Sequence, residues 1–254
     1  VSRLEAAFKS GRTTLVAYVM AGEPDLQRDV EHARAVLSEA DVLEIGVPFS
    51  DPVADGPTIE RAHTRALARG ATLGHALALA RALRAESDKP LVLMTYYNPV
   101  LQRGLATFAR EAREAGVDGV ILPDCPLEES LPAGDAFAKA GLDLVQLASP
   151  ATPPERMARL AKATRGFLYV ISSYGVTGAR AELPPEAADV VARAKAACGG
   201  TPFAVGFGVS DAEHVRQLAA AGAPGVVVGS AIVGRIERGE RPEEVRAFVR
   251  SLRT

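Results

Sequence analysis

Tryptophan is absent from these 254 residues and cysteine occurs only twice, and each scarcity removes a class of function. Without tryptophan, and with aromatic residues at only 5%, a nucleic acid strand would find few rings to stack on. Lysines and arginines are scattered along the chain at a formal net charge of -2, so no basic stripe follows a phosphate backbone and no nucleic-acid partner is expected. Cys125 and Cys198 stand far apart, with no C-x-x-C pair and no neighbouring histidine, and read as two free thiols. The longest apolar run near the N-terminus, Leu15 to Ala21, is far short of a bilayer span and has no signal-peptide layout. A cytoplasmic protein without a membrane is therefore expected.

What is present is the balance of a globular protein with a substantial core: 48% hydrophobic and 24% charged residues. The length would allow two small domains or one α/β barrel. A recurring unit decides between them. An amphipathic helix ends in Ala-Gly, two residues follow, and an apolar strand begins: Ala115-Gly116, Ala140-Gly141 and Ala221-Gly222 all precede such runs. The same reading places strands at Leu15 to Val19, Val42 to Ile45, Leu91 to Thr95, Gly119 to Leu122, Leu144 to Leu147, Leu168 to Ile171, Phe203 to Val205 and Val226 to Val228. These runs are short and apolar without strict alternation, as parallel strands covered on both faces should be. Eight strand-then-helix units predict a single (β/α)8 TIM barrel over residues 1–254, with extra helices after the second and eighth strands. A doubly wound open sheet fits only if one or two of these strands are wrong.

The seventh strand runs into Gly206-Phe207-Gly208-Val209-Ser210, where Ser210 and Glu213 have the spacing of a capping box. The eighth runs into Gly229-Ser230-Ala231 and a short helix. In barrels these two loops form the usual phosphate cradle, because glycines let backbone N–H groups approach an anion and a helix N-terminus favours negative charge. Tight strand-to-helix turns are the plainer use of the same glycines. A dinucleotide site is rejected, since the third glycine and the distal acidic residue of that fingerprint are missing.

The densest motif is Leu43 through Thr58. Glu44 interrupts an apolar strand near its C-terminal end, where a carboxyl group costs folding energy unless it is paired or used; a structural ion pair inside the barrel and a catalytic role both remain open on position alone. Asp55 follows in a loop stiffened by Pro48, Pro52 and Pro57, able to hold a side chain over the barrel mouth. Asp55-Gly56 also suits an ordinary turn. None of the lysines, Lys9, Lys89, Lys139, Lys162 and Lys195, ends a strand, so a Schiff-base aldolase has no nucleophile. His32, His63, His75 and His214 fall in helical stretches without ligand spacing, so no metal site is expected. Acid–base catalysis remains.

Taken together, LEIGVPFSDPVADGPTIERA, the segment Met94 to Val100, PDCPLEES at Pro123 to Ser130, Ser172 to Gly178, GFGVS and VGSAIV resemble the tryptophan synthase alpha subunit family, in order from about Leu4 to the C-terminus. The resemblance implies a carbon–carbon lyase of tryptophan biosynthesis: retro-aldol cleavage of indole-3-glycerol phosphate to indole and glyceraldehyde 3-phosphate, with no cofactor in this subunit. It assigns proton transfer to Glu44 and the indole N–H contact to Asp55. Tyr169 matches an active-site tyrosine, although an ordinary core aromatic would look the same. Gly178, Gly208, Gly229 and Ser230 match phosphate contacts, and Thr177 matches a threonine of a closing loop that spans Ser173 through Glu182. The family works as an α2β2 complex with a beta subunit that carries pyridoxal phosphate, and Pro48, Asp51, Asn98 and Pro126 match that interface. Two departures bear on the shape of the indole pocket: Glu23 where Asp is usual, and Ser149 where Pro is common. Other phosphosugar barrels, such as an isomerase using Glu44 as a base, and a barrel kept only as a regulatory partner are the competing readings.

Overall fold

The computed structural model describes residues 1–171, 187–206 and 208–253. In chain order the elements are α1 (Arg3–Ala7), β1 (Thr14–Met20), α2 (Asp29–Glu39), β2 (Val42–Gly46), α3 (Pro57–Ala68), α4 (Leu73–Arg84), β3 (Leu91–Met94), α5 (Tyr97–Arg103), α6 (Leu105–Glu114), β4 (Gly119–Ile121), α7 (Leu131–Ala140), β5 (Asp143–Val145), β6 (Leu147–Ala148), α8 (Pro154–Ala163), β7 (Leu168–Ile171), α9 (Ala187–Cys198), β8 (Phe203–Gly206), α10 (Ala212–Ala220), β9 (Gly225–Val228), α11 (Ser230–Glu237) and α12 (Pro242–Ser251). All pairings are parallel, in the order β5-β4-β3-β2-β1-β9-β8-β7-β6.

The ends of that order are two halves of one strand, so the sheet closes into the expected (β/α)8 barrel. The fifth expected run is split at Gln146. Its N–H donates to the Thr164 hydroxyl (2.9 Å) instead of a ladder carbonyl, while its own carbonyl still accepts from Tyr169 N–H (2.9 Å). The chain therefore keeps its place between β4 and β7 through the interruption. Two helices follow β2 and two follow β9, as expected; a third pair, α5 and α6, follows β3.

Because side chains alternate along a strand, each strand supplies two buried sets. Val16, Tyr18 and Met20 of β1 point into the barrel with Val42, Val92 and Ile121, while Leu15, Ala17 and Val19 pack outward against the helices with Leu43, Ile45 and Leu93. The complete burial of β1 and β2 explains their near-continuous apolar character. At the N-terminal end of the barrel, Leu4 of α1 is fully buried within the interior cluster, and Phe8 packs its ring 5.2 Å from that of Phe167. Cys125 and Cys198 are buried free thiols.

One cap differs from the sequence reading. The N-cap of α10 is Asp211, whose carboxylate accepts from His214 N–H (3.0 Å), and Glu213 turns to Arg216 instead. Ser210 sits one residue before the cap, and its backbone N–H donates to His214 Nδ1 (3.3 Å).

Candidate active site

Glu44 is the inward residue between Val42 and Gly46, near the C-terminal end of β2. It is 1% exposed. Its Oε2 is buried with no hydrogen-bond partner among the described residues, and among those residues the ion pair that its position allowed is not formed. Burial first, and the negative Asp55 second, push its carboxyl up to about 8. At neutral pH the group holds its proton.

Asp55 ends the proline-rich loop and is buried. Gly56 is the N-cap of α3 and Pro57 occupies its first turn, where a missing N–H costs nothing. The start of the helix thus fixes the carboxylate's place in the chain. Oδ2 accepts from the Tyr96 hydroxyl (2.6 Å) and lies 3.1 Å from His63 Nε2. Tyr96 in turn accepts from Ala54 N–H (3.2 Å), and its ring stacks on Phe49 at 4.8 Å. Asp55 is therefore tied from two sides through one oxygen.

The two carboxyl groups share one cavity, with Tyr18, Met94, Tyr169, Gly208, Gly229 and Ser230 among its lining residues. Acid–base groups from β2 and its loop thus face the same space as the loops after β8 and β9. The strand order puts β1 between β2 and β9. Gly229 is the N-cap of α11, and its carbonyl accepts from Ile232 and Val233. The first N–H groups of such a helix have no intrahelical acceptor and are available to an anion.

Two tyrosines frame the acids. Tyr18 of β1 pairs in register with Glu44, and Tyr169 of β7 stands on the far side of the cavity. Burial, followed by the negative carboxyl groups, raises both phenols well above the usual tyrosine range. Each ring approaches a neighbouring backbone closely. A Cβ on Gly46 would fall inside the Tyr18 hydroxyl, and one on Gly206 would lie 2.6 Å from that of Tyr169. Glycine at these two positions is what lets the rings lie over the strand ends.

Of the residues expected from sequence, Glu44, Asp55, Tyr169, Gly208, Gly229 and Ser230 come together here; Thr177 and Gly178 lie outside the described residues. Tyr18, His63 and Tyr96 were missed. Tyr18 fits the inward apolar series of β1, and Tyr96 lay within a quoted motif without being singled out. Nothing in the spacing tied His63 to Asp55. The two departures are absorbed locally: Glu23 is buried and takes Arg65 through both oxygens (3.0 and 3.1 Å) and Arg69 as well, while Ser149 N–H donates to Thr152 Oγ1 (2.9 Å), a bond proline could not make. Asp51, Asn98 and Pro126 are exposed and Pro48 is buried. Val53, Leu101 and Leu131 expose apolar surface in the loops and helices just past β2, β3 and β4. No helix of the described residues is long and apolar enough to cross a membrane.

Comparison with known proteins agrees with this arrangement. A family described as "Tryptophan synthase alpha chain" matches residues 4–253. Tryptophan synthase alpha chains from a Picosynechococcus species and from Thermococcus kodakarensis are 43% and 45% identical, covering 99% and 94% of this chain and 96% and 95% of their own. Among solved structures, one from Aquifex aeolicus superposes with a TM-score of 0.91 at 37% identity, covering 99% of this chain and 98% of its own. A chain of the tryptophan synthase α2β2 complex of Pyrococcus furiosus superposes with a TM-score of 0.88 at 42% identity, covering 94% and 97%.

Proposed function

The chain belongs to the tryptophan synthase alpha chain family, and from that premise we propose that Glu44 and Asp55 carry its reaction. That reaction is the cleavage of indole-3-glycerol phosphate to indole and glyceraldehyde 3-phosphate, the alpha step of L-tryptophan synthesis. The observation that supports the assignment is a buried Glu44, its Oε2 without a hydrogen-bond partner among the described residues, that holds its proton at neutral pH in the same cavity as Asp55 and the glycine loops after β8 and β9.

Expelling an aryl carbanion from the substrate would be prohibitive, so indole C3 must gain a proton before its bond to the side chain breaks. Glu44, as the neutral acid, gives that proton. Asp55 accepts a hydrogen bond from the indole N–H and favours the positive charge that grows on the ring. The side-chain hydroxyl then yields its proton to the Glu44 carboxylate as its oxygen becomes the aldehyde, and the electron pair of the broken bond returns to the ring. Glu44 ends the cycle protonated, as it began. Gly208, Gly229 and Ser230 hold the phosphate, joined by Gly178, with Thr177 from the closing segment; Tyr169 packs against the substrate from β7.

The chain works with a tryptophan synthase beta subunit in an α2β2 assembly. We assign pyridoxal phosphate to that partner and none to this chain. Asp51, Asn98 and Pro126, together with the exposed Val53, Leu101 and Leu131, form the docking face at the C-terminal ends of the strands, and the buried Pro48 shapes the loop behind it.

The test is to measure indole release by Glu44→Gln and Asp55→Asn, with calorimetric binding of glycerol 3-phosphate as the control. Both variants should lose turnover and keep the phosphate ligand, because acid–base groups and anion cradle lie on different loops. Near-normal indole release by either variant would refute its role.

A further inference from the structure

The loop between β2 and α3 carries Asp55 to the barrel mouth, yet its prolines supply no hydrogen-bond donors of their own. Such a loop needs ties from outside. One comes from α3 itself, where His63 is buried on the face that also buries Ile59, Ala62 and Ala66. Its Nδ1 lies 3.1 Å from Phe49 N, and its Nε2 lies 3.1 Å from Asp55 Oδ2. A backbone N–H only donates, so Nδ1 must offer its lone pair and the proton must sit on Nε2. That single tautomer then donates to the carboxylate, and both bonds are satisfied at once.

Phe49 and Asp55, at the start and end of the loop, are thus held against opposite edges of one flat ring. Because imidazole is rigid, it fixes the gap between them. It also occupies Oδ2 together with Tyr96, while no hydrogen bond among the described residues engages Oδ1.

We infer that His63 is a positioning residue for Asp55: as a neutral imidazole it braces the loop from within and turns the free carboxylate oxygen toward the substrate's N–H. The inference rests on the role proposed above for Asp55. Misplacing a charged acceptor by about an ångström costs roughly tenfold to a hundredfold in rate.

Three variants separate positioning from mere support, each assayed with a tryptophan synthase beta subunit present. In His63→Gln the side-chain amide nitrogen extends to where Nε2 stood and donates to Asp55, but the tie to Phe49 is lost. In His63→Asn the shorter amide meets Phe49 N–H and falls short of Asp55. His63→Ala removes both. The expected result is a kcat reduced about tenfold to a hundredfold in the Asn and Ala variants and largely recovered in Gln, with KM and glycerol 3-phosphate binding little changed. Melting temperatures should run the other way for the first two, with Asn the more stable. Activity that simply follows melting temperature across the series overturns the inference, and if the Ala variant does not fold, Gln against Asn still decides it. Asp55→Asn is run alongside. If it keeps turnover, the functional reading has failed; if it is inactive while His63→Asn keeps wild-type kcat, only the role of His63 has failed.

Discussion

Replacing Glu44 by glutamine should make the protein more stable at neutral pH, by an amount that grows as the pH rises. In the unfolded chain Glu44 ionises near the ordinary glutamate value of 4.5, whereas in the folded barrel burial and the nearby Asp55 hold it protonated up to about 8. A carboxyl group raised in the native state contributes its full stability below about 4.5, and that contribution drains away between 4.5 and 8, because only the unfolded state gains from ionisation. Each pH unit in that window costs the wild type about 1.4 kcal/mol, so by pH 7 the loss is about 3 kcal/mol. Glutamine does not titrate. Its own buried amide adds a penalty, but one that is the same at every pH, so the slope of the stability difference is diagnostic even where its absolute value is not. Urea unfolding of both proteins at pH 5, 6, 7 and 8 measures it. A difference that stays flat across those four values would mean Glu44 is already ionised in the fold, and with it would go the claim that this residue stores the proton delivered to indole. The same titration limits catalysis: turnover should hold through neutrality and decline above about pH 8 as the native acid is lost.

Three further outcomes follow from contacts around and beneath the site. Tyr96→Phe keeps the ring on Phe49 but deletes the 2.6 Å bond to Asp55; kcat should fall roughly tenfold, and an unchanged steady-state rate would show the bond to be idle. Gly46→Ala would drive a methyl into Tyr18 and should destabilise by about 1–3 kcal/mol, with part of the loss recovered on adding Tyr18→Ala; unfolding curves of the single and double variants check this. Far from the cavity, Lys89 Nζ donates to the carbonyls of Leu37, Ser38 and Ala40 (2.7, 2.9 and 2.7 Å) at the end of α2. Lys89→Met should cost about 1–3 kcal/mol of stability while indole release at 25 °C is unaltered, and a drop in kcat would contradict the separation of that end from the chemistry.

The barrel was legible in the sequence because its strands are short apolar runs, three of which begin about two residues after an Ala-Gly helix end. Glu44 stood out for the same reason: one carboxyl group in an apolar strand is conspicuous. The glycines after β8 and β9 were readable by their place in the order of units. Other features depend on distances that only folding sets. Gln146 breaks its strand because the Thr164 hydroxyl, eighteen residues on, captures its N–H. Ser210 and Asp211 are adjacent and both suit a helix cap, and in the fold it is Asp211 whose carboxylate meets His214 N–H. Helical phase puts His63 on a buried face, but what that face meets is decided by how the loop folds back. Tyr18 was hidden differently, since an inward aromatic in a barrel strand reads as core whether or not a ligand ever touches it.

The stopper at the other end of the barrel has a consequence for traffic. With Leu4 seated inside the lower staves and Phe8 laid against Phe167, that end of the interior is filled by side chains, and the cavity holding Glu44 and Asp55 lies toward the side where Asp51, Asn98 and Pro126 are displayed. A partner docked on that rim would therefore sit beside the path of any molecule that enters or leaves there, and could bear on the order in which products depart.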